Sequence, residues 1–268
     1  MKTLVVPEKS VHAGNLILVN SQYPYHAENA ECFLAPVGAD RSTVLLERRA
    51  SVLLSKLMND LDGWTRISAV SGWRSKREQQ EIYDRSLREN GEAFTEKFVA
   101  RPDHSEHQTG LAIDLGLKKP EIDFIRPDFP YSGICQTFRE KAVSYGFIER
   151  YPEGKEAVTG IAQEPWHFRY VGAPHAAIMT ALGLTLEEYH TFLKQYSYGK
   201  KCFEYQNGKQ AIAVSYMVAA AGAETEFEIE DDIPYSVSGN NADGFVLTEW
   251  RRLDNERHSV TAKEATRC

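Results

Sequence analysis

The segment Ser105-Glu-His-Gln-Thr-Gly-Leu-Ala-Ile-Asp-Leu115 constrains the chain most. Its last five residues alternate strictly. Leu111, Ile113 and Leu115 fall on one face, and Ala112 and Asp114 on the other, which is the period of a β-strand. Gly110 marks a turn just before that strand, and His107 precedes the turn. A chain that turns this way brings the His107 and Asp114 side chains toward one point. A second segment, Glu164-Pro-Trp-His167, stands at the mouth of another expected strand, HFRYV at 167–171. Together the two segments offer two imidazoles and two carboxylates.

That donor set has a recognisable chemistry. Catalytic zinc takes three nitrogen or oxygen ligands from the protein and keeps a fourth position open. His107, Asp114 and His167 supply three such ligands, and the mixed set suits zinc better than calcium, which prefers an all-oxygen shell. Glu164 is then free to act as general base on a water whose pKa a metal would lower. Each motif alone recurs by chance, and an isolated histidine is more often structural than a ligand. His12, His26, His175, His190 and His258 are read as structural, and His104 as a loop residue. The conjunction of the two motifs carries the argument. A third segment, Ser71-Gly-Trp-Arg74-Ser75 followed by Gln79, joins a short strand to a helix. A guanidinium held there can bind a carboxylate or an oxyanion. Taken alone, the segment fits a surface arginine at a charged helix start better.

The remaining pattern mixes helices and strands without βαβ alternation, which predicts an α+β fold. Strands are expected at 14–20 and 67–70, an amphipathic helix over 43–61, and a helix over 76–90 ended by Asn90-Gly91. Residues 91–106 and 151–163 read as loops, and 134–145 as a helix capped by Gly146. Thr185-Leu-Glu-Glu188 reads as a capping box. Past about Tyr198 the chain turns to short β segments, so we expect a main domain over 1–198 and a small β-rich extension over 199–268.

The 268 residues suffice for one sizeable core, and a formal net charge of -7 argues against a nucleic-acid partner. No segment approaches a membrane span or the apolar core of a signal peptide, which predicts a cytoplasmic protein without a membrane anchor. Cys32, Cys135, Cys202 and Cys268 are widely spaced and read as free thiols.

SGWRS with Gln79, SEHQTGLAID and EPWH resemble, in order and spacing, the motifs of the zinc D,D-peptidases of the VanY, VanX and VanXY type. The likeness runs from about Leu16 to Leu193 and includes GFIERYPEGKEAVTGIAQEPWHFRYVG around the second histidine. It implies a central antiparallel sheet flanked by helices, shared with the zinc-binding part of hedgehog proteins. It implies one Zn2+ per chain on His107, Asp114 and His167, with Glu164 as catalytic base and Arg74 stabilising the transition state or holding substrate. Ser105 and Gln79 match positions that contact the substrate's terminal carboxylate. The implied substrates are the D-Ala-D-Ala dipeptide and the UDP-muramyl pentapeptide, and the implied role is glycopeptide resistance. The absence of the anchor usual in VanY enzymes brings the chain nearest to the soluble VanXY type. Two other readings stay open: a phage-lysin-type wall endopeptidase, whose wall-binding module would be the tail, and a non-catalytic zinc-binding module.

Overall fold

The strict alternation at 111–115 produces a strand, and that strand lies inside a sheet. The computed structural model describes residues 1–26, 33–38, 43–207 and 210–252. Two compact units emerge, one of Leu18–Glu188 and one of Met1–Ile17 with Tyr189–Cys268. The elements run β1 (Lys2–Val6), β2 (Leu34–Pro36), β3 (Leu45–Glu47), α1 (Arg48–Asp60), β4 (Ile67–Ser71), α2 (Lys76–Asn90), α3 (Glu92–Phe98) and β5 (Ala112–Leu117). They continue with α4 (Gly133–Ala142), β6 (Phe147–Tyr151), α5 (Glu156–Thr159), β7 (Glu164–Tyr170), α6 (Ala173–Leu182) and α7 (Leu186–Leu193). The last five strands are β8 (Phe203–Asn207), β9 (Gln210–Val218), β10 (Thr225–Ile229), β11 (Tyr235–Gly239) and β12 (Gly244–Arg252). The fold is α+β, as the pattern predicts.

The Leu18–Glu188 unit is built on an antiparallel sheet of order β4-β5-β7-β6. β5 is covered on both faces, because Ala112 and Asp114 are as buried as Ile113 and Leu115. α4 and α6 pack on β6, and α1 packs against α4. Phe138 of α4 reaches Phe168 of β7 with ring centroids 5.0 Å apart, and Phe129 closes the cluster at 5.7 and 5.4 Å from those rings. Such edge-on contacts contribute about 0.5–1.5 kcal/mol each beyond the area they bury. α1 buries Leu54, Leu57 and Met58 and starts later than the sequence suggests. Residues 45–47 pair with β2 instead, and Glu47 caps the helix by accepting from the Arg49 and Ala50 N–H groups.

Two further differences have local causes. Residues 91–106 are not all loop: α3 occupies 92–98, held by the Phe94–Phe98 ring contact at 4.9 Å one turn apart. Residues 14–20 form no strand, although Leu16, Ile17, Leu18 and Val19 are all buried. An apolar run reports burial, and here the burial comes without a ladder. α2 spans the expected range, with Ser75 and Glu78 forming a reciprocal capping box. Thr185 and Glu188 form another, at 2.8 and 3.3 Å. The expected loop over 151–163 contains the single turn α5.

In the other unit β11-β12-β9-β8 form an antiparallel sheet, and β1 pairs with β10. Phe227, Ile229, Phe245 and Leu247 form its core together with Val6 and Val11. Cys135 and Cys202 are free thiols, while Cys32, Cys268 and His258 lie outside the described residues. No described helix is long and apolar enough to cross a membrane.

Candidate metal centre

Sheet register brings the two motifs together. β5 and β7 pair Asp114 with His167, so both side chains leave the same face as direct cross-strand neighbours. His107 arrives from the short turn Glu106–Thr109, which Gly110 ends with φ 71°. A Cβ at Gly110 would lie 2.9 Å from the Glu47 nitrogen, so the position has both a left-handed backbone and no room. The Gly110 carbonyl also accepts the Glu47 N–H at 2.7 Å, which ties the turn to the start of α1.

The three expected ligands converge. One donor atom from each of His107, Asp114 and His167 lies within 4.8 Å of the others, and all three residues are buried. Asp114 Oδ2 is 3.1 Å from His107 Nε2, and Asp114 Oδ1 is 2.9 Å from His167 Nδ1. His107 Nδ1 sits 2.7 Å from the Gly72 carbonyl. A carbonyl only accepts, so that nitrogen carries the proton and Nε2 turns its lone pair inward. Gly72 is required for this contact: a Cβ there would meet the Leu45 carbonyl oxygen at 2.3 Å.

The electrostatics suit a cation. Burial, aided by the nearby Arg74 charge, holds the His107 pKa down to about 4, so the ring stays neutral. Burial also pulls on His167, but the hydrogen bond to Asp114 and the facing Glu106 carboxylate outweigh it and push that pKa up to about 9. The Asp114 carboxyl lies well below its usual range despite burial, because the charge and hydrogen bond of His167 favour its ionised form. Burial raises the Glu164 carboxyl to about 8, against the pull of the His167 and Arg74 charges. The surrounding carboxylates therefore create a field that keeps a positive charge on His167. A bound divalent cation satisfies the same field, and two neutral imidazole nitrogens with one carboxylate are a donor set for zinc.

Glu164 Oε2 is 3.7 Å from His167 Nδ1, on β7 itself. Arg74 is fixed on three sides. Its Nε donates to Ser71 Oγ at 3.0 Å, Nη1 to Gln79 Oε1 at 3.0 Å and Nη2 to Asp114 Oδ2 at 3.3 Å. The plain reading of Arg74 as a surface residue therefore does not hold. Gln79 is buried, and its amide nitrogen donates to the Ala100 carbonyl at 2.7 Å. Arg74, Gln79, Ser105, Glu164 and the three metal-ligand candidates all line one cleft. The apolar side chains of Phe98, Phe124 and Ile161 line the same cleft. His104 is elsewhere engaged, with Nδ1 2.6 Å from the Asn20 carbonyl.

Sequence reasoning missed two residues here. Tyr151 lines the cleft with its ring centroid 4.9 Å from that of His167. Glu106 lies behind His167, its Oε1 accepting from Arg150 Nε at 2.8 Å and Arg169 Nη1 at 2.7 Å. Its position beside His107 in the motif was visible, but its partners are 44 and 63 residues away and no periodicity joins them.

Known proteins resemble this chain in sequence and in fold. Residues 44–173 match the family described as VanY, D-alanyl-D-alanine carboxypeptidase. The chain is 43% identical over 183 residues to the bifunctional D-Ala-D-Ala dipeptidase and carboxypeptidase VanXYC of Enterococcus gallinarum, covering 68% of this chain and 96% of that protein. The fold matches the crystal structure of the vancomycin resistance D,D-dipeptidase VanXYg with a D-Ala-D-Ala phosphinate analogue, at TM-score 0.89 and 48% identity, over 93% of this chain and 99% of that one. It also matches a VanY D,D-pentapeptidase mutant from a VanB-type cassette in complex with Zn(II), at TM-score 0.55 and 32% identity, over 66% of this chain and 98% of that one.

Proposed function

The chain belongs to the VanY family of D,D-peptidases, and from that premise we propose that it is a zinc enzyme which cleaves D-Ala-D-Ala and also removes the terminal D-Ala of the UDP-muramyl pentapeptide. The observation that carries the reading is the convergence of His107, Asp114 and His167 beside Glu164, with Arg74 held at the same cleft. One zinc per chain on those three ligands supplies a Lewis acid that polarises a carbonyl and acidifies water.

The protein's own residues do the rest. Glu164 takes a proton from the attacking water as its oxygen bonds to the scissile carbonyl carbon. When the C–N bond breaks, Glu164 passes that proton to the leaving amine, and the products are a free carboxylate and a D-alanine amine. A cation beside Glu164 favours its ionised form, the form a base requires. Arg74 faces the developing oxyanion or the substrate carboxylate with a guanidinium that Ser71 and Gln79 keep from turning. Such a pre-aligned donor contributes about 100- to 1000-fold in rate. Ser105 and Gln79 flank the substrate's terminal carboxylate, and the apolar side chains of Phe98 and Ile161 accommodate a methyl side chain.

Both substrates are precursors made inside the cell, which is where we place the reaction. Destroying D-Ala-D-Ala termini there makes the protein a glycopeptide resistance enzyme. The VanXYg match covers 93% of this chain and therefore extends past residue 198, which supports a tail belonging to the peptidase over a wall-binding module of a lysin. Residues 199–268 remain our proposed extension. The test is D-alanine release measured side by side on the dipeptide and the pentapeptide. Release from both is expected. Release from one alone narrows the enzyme to a dipeptidase or a carboxypeptidase, and release from neither by zinc-loaded protein refutes the reading.

A further inference from the structure

His167 presents two different edges. Its Nδ1 points to the centre, 2.9 Å from Asp114 Oδ1 and 3.7 Å from Glu164 Oε2. Its Nε2 points away, 3.5 Å from Glu106 Oε2. Both of those outer atoms are fully buried, and neither has any closer hydrogen-bond partner. Two buried polar atoms left apart are costly, and they are satisfied together only if Nε2 carries a proton directed at the carboxylate.

Glu106 cannot swing away from that task. Its other oxygen accepts from both Arg150 and Arg169, whose side chains are fully buried. Arg150 also grips Glu187 with two contacts, at 2.9 and 2.6 Å. Two carboxylates and two guanidiniums make this set neutral, so the arginines lock the orientation of Glu106 without leaving excess charge. His107 solves the same problem differently, with the Gly72 backbone carbonyl in place of a carboxylate.

We propose that Glu106 is the positioning residue of the metal centre: it holds the proton of His167 on Nε2 and thereby presents Nδ1 as the ligand. The inference rests on the zinc reading above. Adjacent residues of one turn then take different roles, His107 as a ligand and Glu106 as the orienter of His167. A carboxylate behind a ligating imidazole also raises its basicity, and loss of such a partner typically weakens metal binding by about 10- to 100-fold.

The experiment compares whole-chain variants by competition with a chromophoric zinc chelator. Glu106→Gln keeps the shape but offers an amide N–H to His167, which drives the ring proton to Nδ1. Zinc affinity is expected to fall by about 10- to 100-fold in folded protein. Glu187→Gln disturbs Arg150 without touching His167 and is expected to leave affinity unchanged. An equal loss in both variants, or wild-type affinity in folded Glu106→Gln, overturns the proposal in favour of a purely structural ion network. If Glu106→Gln does not fold, 15N-histidine spectra of the zinc-loaded wild type decide. A proton on His167 Nε2 with metal on Nδ1 supports the assignment, and metal on Nε2 overturns it. A wild-type chain that binds no zinc fails at the earlier step, the zinc reading itself.

Discussion

The two four-stranded sheets of this chain are built to different standards of regularity. In β11-β12-β9-β8 the long pair β9–β12 keeps one register from Gly244↔Val218 to Arg252↔Gln210. In β4-β5-β7-β6 the register shifts twice, between Ala69 and Ser71 and between Glu149 and Tyr151. Those shifts fall beside Asp114, which pairs with Ser71, and Glu164, which pairs with Tyr151. Bulges re-aim side chains and interrupt pairing, and they gather near active sites for that reason. The sheet β4-β5-β7-β6 also carries buried His167, Asp114, Glu164, Arg150 and Arg169, whereas β11-β12-β9-β8 buries mainly residues such as Val214, Phe245 and Leu247. One sheet gives up ladder regularity and apolar filling to hold a charged constellation. The other keeps its register, and Ser215, Thr248 and Glu249 are its buried polar strand residues among those described.

The sharpest way to expose this difference is to remove chemistry without removing structure. Glu164→Ala should lower kcat for D-Ala-D-Ala by about 100- to 10,000-fold, the range for loss of a general base. Zinc content, measured by metal analysis of the same preparation, should not change, because Glu164 is not one of the three proposed ligands. Near-normal turnover in the zinc-bound variant would remove Glu164 as base. The converse variant is Leu247→Ala, which opens a hole among the fully buried rings of Phe227 and Phe245. It should cost about 2–5 kcal/mol in unfolding free energy. Zinc affinity of the protein that remains folded should equal that of the wild type, since no ligand or ligand partner is touched.

These two sheets also differ in how far sequence reasoning could reach them. The strict alternation of Leu111–Leu115 and the short β segments of the tail follow the period of a strand, and local pattern is enough to find them. Asp114, His107 and His167 were legible because a turn residue and a strand period place them, and because ligand chemistry restricts the residue types. Arg74 was ambiguous, since its role depends on Ser71, Gln79 and Asp114 closing around it. Glu106 was silent, because its partners come from β6 and β7 and meet it only in the folded sheet. The buried run at 14–20 misled in the opposite direction, because hydrophobicity specifies an interior position and says nothing about a pairing partner. Helix α3 was recoverable in principle from Phe94 and Phe98, spaced one turn apart.

A smaller perturbation tests whether backbone as well as side chains defines the irregular sheet. Gly72→Ala places a Cβ against the Leu45 carbonyl, which already accepts the Trp73 N–H at 2.6 Å. Backbone cannot yield there as a flexible side chain would, so the Gly72 carbonyl must shift away from His107 Nδ1. We expect zinc affinity to fall by about 10- to 100-fold, as for loss of any partner that orients a ligating histidine. Gly244 offers the matched case in the regular sheet, where a Cβ would meet the Met217 carbonyl at 2.2 Å. Gly244→Ala should lower stability while zinc affinity stays at the wild-type value. Equal effects of both variants on zinc binding would erase the distinction between the sheets.

The smallest expected effect comes from a feature with no part in either sheet. The capping box of α7 joins Thr185 and Glu188 through two backbone N–H groups. Thr185→Ala removes one of those acceptors at a buried helix start and should cost about 1 kcal/mol. Glu188 keeps its ion pair with Lys155 at 2.8 Å, so the helix end remains anchored. Denaturant melts should show a lower midpoint with an unchanged slope, because the same surface is exposed on unfolding. D-alanine release per folded molecule should match the wild type. A loss of turnover here without loss of zinc would mean that α7 helps to define the cleft. The contrast between the irregular sheet that holds the site and the regular sheet would then need to include this helix.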